Sequence, residues 1–234
     1  MLLRLSERKV KEKERMYKQF TMELAGRTLR VDIGRVGAQA NGAAFMHYGD
    51  TVVLCTATAS EKPREGIDFF PLSVEYEEKL YSVGKIPGGF NKREGKASEN
   101  AILTSRVIDR PMRPLFPKDY RNDVTLNNLV MSVDPQCRPE LVAMLGSAIA
   151  TSISDIPFAG PCATTQVGMI DGELIINPSQ EQWKNGDLNL TISLMAANNS
   201  SGTAQLVYSC FAFPTSAVIS LIKAIMVWLI SWAL

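Results

Sequence analysis

The sequence predicts a mixed α/β fold, an α+β sheet with packed helices, on three observations. Short alternating or β-branched runs recur through the first 135 residues, two helix-length segments interrupt them, and no 20 to 50-residue period repeats. Residues 20–24 and 28–33 alternate around Ala25 and Gly26, which reads as two strands joined by a tight turn. Thr51 to Ala57 (TVVLCTA) is a β-branched apolar run placed near a sheet centre, and Phe69 to Val74 and Val124 to Val133 are further strand candidates. Ser98 is placed to cap a helix running to about Arg110, where Pro111 and Pro114 stop a smooth continuation. Residues 139–153 form the second helix candidate, apolar nearly all round and rich in Ala and Gly, which predicts burial against a sheet.

The 234 residues suffice for one sizeable domain or two small ones, and 46% hydrophobic with 21% charged residues is an ordinary globular composition. A net charge of +1 supplies no global basic field, so a nucleic-acid partner has to be recognised by local patches. Cys55, Cys137, Cys162 and Cys210 are widely spaced, with no Cys-x-x-Cys pair and one histidine, His47. That pattern indicates neither a zinc site nor a disulfide framework and points to a reducing, cytoplasmic compartment.

The composition divides the chain into segments. Residues 1–16 (MLLRLSERKVKEKERM) lack a secretory apolar core and read as a charged or non-native N-terminal extension. Lys11 to Arg15 can be written entirely in purine codons just before Met16, as a translated ribosome-binding site would be, so Met16 is the expected natural start. Residues 17–153 form the first domain, and 154–191 begin a second subdomain whose sheet is left incomplete. Beyond Asp187 the only charge is Lys223, and residues 192–234 form a divergent hydrophobic tail. Its last 18 residues are long enough to weigh as a membrane span, but Lys223 at a bilayer centre would cost roughly 2.5 to 3.5 kcal/mol, so membrane contact is not favoured. Exposed strand edges after Thr191 predict poor solubility.

The stretch from Gly84 to Pro117 (GKIPGGFNKREGKASENAILTSRVIDRPMRPLFP) carries the chemistry. A Gly-rich turn presents Phe90, Asn91, Lys92 and Arg93 on a loop, and the following helix carries Arg106 and Arg110 one turn apart, with Arg113 just beyond. Aromatic faces stack bases and guanidinium forks pair with phosphates, so the pattern suits a single-stranded polyanion. Ala101, Leu103, Val107 and Ile108 are expected to face the core, leaving both arginines on the other flank. The competing reading is a solvated charge run with Arg110 paired to Asp109 or Glu99. Asp109, Glu94 and His47 are read as structural side chains, not as an acid or base, so no catalytic residue and no metal ligand is assigned.

Three blocks, residues 20–54 (FTMELAGRTLRVDIGRVGAQANGAAFMHYGDTVVL), 68–95 (DFFPLSVEYEEKLYSVGKIPGGFNKREG) and 105–117 (SRVIDRPMRPLFP), resemble the first RNase PH-like unit of bacterial polynucleotide phosphorylases. The resemblance continues through 154–179 and weakens near Thr191. It implies a homotrimeric polyribonucleotide nucleotidyltransferase that degrades RNA from the 3′ end by phosphorolysis, with inorganic phosphate as co-substrate and Mg2+ as cofactor, acting in mRNA degradation and in an RNA degradation complex. It further implies that Phe90, Asn91, Lys92 and Arg93 line an RNA-gripping pore, with Asn91 where a second aromatic can stand and Lys92 replacing an arginine, and that Arg106 and Arg110 face the RNA path. Family members hold the phosphate-binding serines and metal-binding aspartates in a second RNase PH-like unit, which has no counterpart in these residues. The expectation is therefore a truncated or frameshifted fragment, inactive alone. The alternatives are a non-catalytic RNA-binding or ring-forming subunit and a membrane-tethered fragment.

Overall fold

The computed structural model describes residues 17–90, 92–186, 188–195 and 205–209. The N-terminal extension to Met16, Asn91, and residues 196–204 and 210–234 of the hydrophobic tail, each given a role above, lie outside the described residues.

A six-stranded sheet opens the fold. Strand β1 (Lys18–Leu24) pairs antiparallel with β2 (Arg27–Ile33) through a two-residue turn in which Ala25 and Gly26 both have positive φ, 50° and 73°. That left-handed geometry matches the twist of a hairpin and sets the register Leu24↔Arg27. β3 (Gly42–Tyr48), β4 (Thr51–Ala59), β5 (Leu72–Glu78) and β6 (Val124–Ser132) complete the sheet in the order β1-β2-β3-β4-β6-β5. Every pairing is antiparallel except β5 with β6. That parallel pair needs a crossover, which helix α1 (Glu99–Met112) supplies.

Two departures from the sequence reading have clear causes. β3 was not anticipated, because Gly42, Ala43 and Ala44 are poor strand formers; Gly42 is required there since a Cβ would collide with the Ala150 carbonyl of the helix above. β5 begins at Leu72, not at Phe69, because Pro71 cannot donate to the ladder, and Phe70 instead packs its ring against Phe116 and Tyr120.

Helix α2 (Pro139–Ser152) lies between this sheet and a second one, touching β3, β4 and β6 on one side and β7 on the other. Pro139 and every residue from Leu141 to Thr151 are buried. Gly146 allows the close seat, because a Cβ there would collide with Cys55 Sγ and stand 2.8 Å from Met46 Cγ. The buried amide of Asn128 on β6 is satisfied by Ser147 Oγ, which donates to it over 2.7 Å, and by donating to the Glu75 carbonyl over 3.3 Å. The second sheet is antiparallel in the order β10-β9-β7-β8, from β7 (Cys162–Ile170), β8 (Glu173–Ile176), β9 (Leu188–Met195) and β10 (Gln205–Ser209). A short helix α3 (Gln180–Asn185) with a Ser179 capping box links β8 to β9. The layers are sheet, helices, sheet, and the apolar core runs through all three.

Candidate nucleic-acid interface

After β5 the chain makes a 3₁₀ turn (Leu80–Val83) ended by Gly84 in the left-handed region, then enters the Gly-rich loop. Phe90 sits at its tip with 101% exposure, and Lys92, whose N–H donates to the Gly89 carbonyl over 3.0 Å, closes a tight turn at φ 50°. Lys92 and Arg93 are exposed and form no ion pair among the described residues. Exposed Tyr81, Val83 and Ile86 flank the same loop, so apolar and aromatic surface accompanies the basic side chains. Sequence reasoning missed Tyr81, whose signal was an aromatic following a strand end next to Gly84.

Ser98 caps α1 by accepting the Ala101 N–H over 3.2 Å. The buried face of the helix is Ala101, Ile108, Pro111 and Met112. Leu103, expected in the core, is 59% exposed: it lies two residues, about 200° of turn, from Ala101 and so points away from the sheet. Val107 is half-buried against the core, as its position between the two faces requires. The helix also runs one residue past Pro111, because a proline in the last turn removes one backbone hydrogen bond without blocking the residue after it, and Arg113–Leu115 follow as a 3₁₀ turn.

Arg106 and Arg110 are exposed on the outer flank, and neither has a hydrogen bond or ion pair among the described residues. The competing pairing of Arg110 with Asp109 does not form, because Arg113 takes Asp109 in a two-pronged contact at 3.1 and 2.7 Å. Arg113 also donates to the Phe70 and Leu72 carbonyls, at 3.1 and 3.2 Å, and is thus a clamp between α1 and the entry to β5. Arg93 lines a depression of about 430 Å³ with Lys79, Glu94, Lys96 and Ser98. Arg106 begins two turns after the cap, about 12 Å along the axis at 1.5 Å per residue. Arg106 and Arg110 therefore lie outside the depression that Arg93 lines, and within one chain the loop and the helix flank are a strip in chain order, not a single pocket.

Sequence reasoning also missed a polar cluster on the outer face of the sheet. Asp32 is buried at 1% exposure, with Arg30 Nε 3.5 Å from one carboxylate oxygen and Arg35 Nη1 and His47 Nε2 each 3.4 Å from the other. His47 lies within β3, and Arg30 donates to its Nε2 at 2.8 Å, which leaves the ring neutral with its proton on Nδ1. Burial, and then the charge of Arg30, push the His47 pKa below its usual 6.5 against the opposing pull of Asp32. The signal was the alternation of Arg30 and Asp32 along one strand face. Burial also pushes the Cys137 and Cys162 thiols up, to about 11 and about 12, so neither is a ready nucleophile. No group of three or more His, Cys, Asp or Glu side chains among the described residues is arranged to hold a metal ion. Among those residues no helix is long and apolar enough to cross a membrane.

The sequence pattern of the 3' exoribonuclease family, domain 1, matches residues 25–157, and that of domain 2 of the same family matches residues 160–210. The chain belongs to the 3' exoribonuclease family. The exoribonuclease domain 2 match extends past Thr191 and takes in both β9 and β10. Among curated relatives, the polyribonucleotide nucleotidyltransferase of Lachnoclostridium phytofermentans is 83% identical over 178 residues, covering 76% of this chain and 26% of that protein. That of Ruminiclostridium cellulolyticum is 62% identical over 178 residues, covering 76% and 25%. The chain thus spans about a quarter of the length of the curated relatives it matches. The fold is shared with rice (Oryza sativa) Rrp46, at a TM-score of 0.55 and 15% identity over 94% of this chain and 93% of that one. A chain of an archaeal exosome core matches at a TM-score of 0.55 and 14% identity, covering 92% and 85%.

Proposed function

We propose that these residues form the RNA-engaging first unit of a polyribonucleotide nucleotidyltransferase, a phosphorolytic 3′ to 5′ exoribonuclease of the cytoplasm. The observation that carries the reading is 83% identity to such a relative, joined to a basic strip whose charges are not neutralised internally. In this reading Arg93, Arg106 and Arg110 take phosphates through guanidinium forks, Lys92 adds a point charge, and the fully exposed Phe90 offers a face for base stacking. Asn91 belongs to the same loop. A strip in one chain becomes a closed grip when copies meet around an axis, so we propose a homotrimer, whose mass in solution tests it.

For the residues described here, we propose RNA binding without phosphorolysis. Glu94 and Asp109, the two acids beside the arginines, are held by Lys79 and the Leu80 N–H and by Arg113, so neither is placed to move a proton. Attack by inorganic phosphate on a terminal phosphodiester needs charge stabilisation at the phosphoryl oxygens, and no step through Mg2+ is derived from these side chains. We further propose a first domain over 17–153 and a second subdomain that begins at 154 and, with β9 and β10, runs past Thr191 to about residue 210. Titrating the 234-residue chain with labelled single-stranded RNA tests the reading. Charge reversal at Arg93 and Arg106 is expected to weaken binding at least about tenfold and to flatten the slope of log affinity against log salt by about 0.7 per lost phosphate contact. Unchanged affinity and slope would return the strip to a solvated surface. Phosphate-dependent release of nucleoside diphosphates by the chain alone would overturn the non-catalytic half of the proposal.

A further inference from the structure

The basic loop has almost nothing to hold it. Ile86 is 78% exposed and Phe90 fully so, and a Cβ added at Gly88, Gly89 or Gly95 would meet no atom within 4 Å. From Pro87 to Ala97 the Lys92 to Gly89 bond is internal, and among the described residues every polar contact that leaves the loop is made by one side chain, Glu94. Its Oε1 accepts the Leu80 N–H over 2.6 Å, and its Oε2 lies 3.5 Å from Lys79 Nζ. Lys79 is in turn 2.8 Å from Glu77 on β5, and its hydrogen bond to Glu77, with the charge of both acids, holds its pKa above the ordinary range. The Glu94 carboxylate is half-buried at 23% exposure, whereas its neighbour Arg93 is exposed.

We infer that Glu94 is a positioning residue for the RNA-binding loop. It fastens the loop to the first N–H of the 3₁₀ turn, where Lys79 at the cap position provides no side-chain acceptor of its own. The second consequence is electrostatic. An acid next in sequence to Arg93 would ordinarily compete with phosphate for that guanidinium, and occupying the carboxylate with the Leu80 N–H and the Lys79 ammonium leaves Arg93 free for a polyanion. RNA that meets a loop already fastened loses less side-chain and backbone freedom on binding. The inference rests on the proposed RNA-binding role of the loop.

Three variants of the full chain separate the parts. Glu94→Ala removes both contacts, and Glu94→Gln keeps an oxygen for the Leu80 N–H while dropping the ion pair. Leu80→Pro removes the donor itself, at a helical first position preceded by an extended residue (Lys79 φ −91°, ψ 147°), where proline fits. Each is compared with Arg93→Ala for affinity to single-stranded RNA and with the parent for the rate of tryptic cleavage after Lys92 and Arg93, with the thermal midpoint confirming that the core is intact. Glu94→Ala and Leu80→Pro are expected to accelerate cleavage and weaken RNA binding about tenfold, with Glu94→Gln within about twofold of the parent on both readouts. If Arg93→Ala weakens binding while Glu94→Ala and Leu80→Pro leave it unchanged, the positioning role is overturned and the RNA reading survives. If Arg93→Ala itself has no effect on binding, the RNA reading fails, and the positioning role falls with it whatever the cleavage rates.

Discussion

Helices α1 and α2 have the same length, 14 residues, and opposite designs. α2 is enclosed by two sheets, and its N-cap residue, Arg138, makes no side-chain cap bond. α1 has only four buried residues and a Ser98 side-chain cap. A helix packed on all sides draws its stability from burial, so its sequence is constrained by volume and it can do without a side-chain cap bond. One with a wet face depends more on its cap, and the exposed positions are released for other work. Arg106 and Arg110 occupy such positions.

Substitutions at the two helices should therefore differ in kind. Gly146→Val on α2 would drive a branched side chain into Cys55 and Met46, and chemical denaturation should show a loss of about 3 kcal/mol or failure to fold. A near-neutral result would mean that the helix can shift away from the sheet and that the two layers are less tightly coupled than they look. Ser98→Ala at the head of α1 should lower stability by about 1 kcal/mol in the same assay, and Ser98→Asp should restore it.

The outer face of the sheet extends the comparison to a buried polar group. His47 is held neutral with a lowered pKa, so the unfolded chain binds a proton that the folded chain refuses. The stability this gives is present above the usual 6.5 and is lost as pH falls through the lower folded value. The thermal midpoint of the parent should fall between pH 7.5 and 5.5 more steeply than that of His47→Gln; parallel curves would show that Asp32 takes up the imidazolium without penalty. The smallest change is expected at Arg106→Ala and Arg110→Ala. Each should alter stability by less than about 0.5 kcal/mol, because neither side chain has an intramolecular partner among the described residues. A larger loss at either would show that the arginine supports the helix after all.

Elements with local signals follow from the chain alone. The hairpin at Ala25 and Gly26, the run at β4, the cap at Ser98 and the all-apolar α2 were each legible from side-chain type and spacing, because turn geometry, β-branching and capping act over a few residues. Long blocks also carried the family, which the domain matches establish. Of the candidate site, the composition of the basic strip was readable, but not which of its charges were free. That depended on contacts distant in sequence: Arg113 reaching back to Phe70 and Leu72, and Glu94 reaching Leu80. β3, the exposure of Leu103 and the enclosure of Asp32 were likewise decided by tertiary structure. A glycine and two alanines become a strand only when a helix must come close, and a leucine two residues from the buried face turns outward. A carboxylate is buried here because Arg30 on its own strand and Arg35 just beyond it supply charge, while the neighbouring strand covers it with the neutral His47.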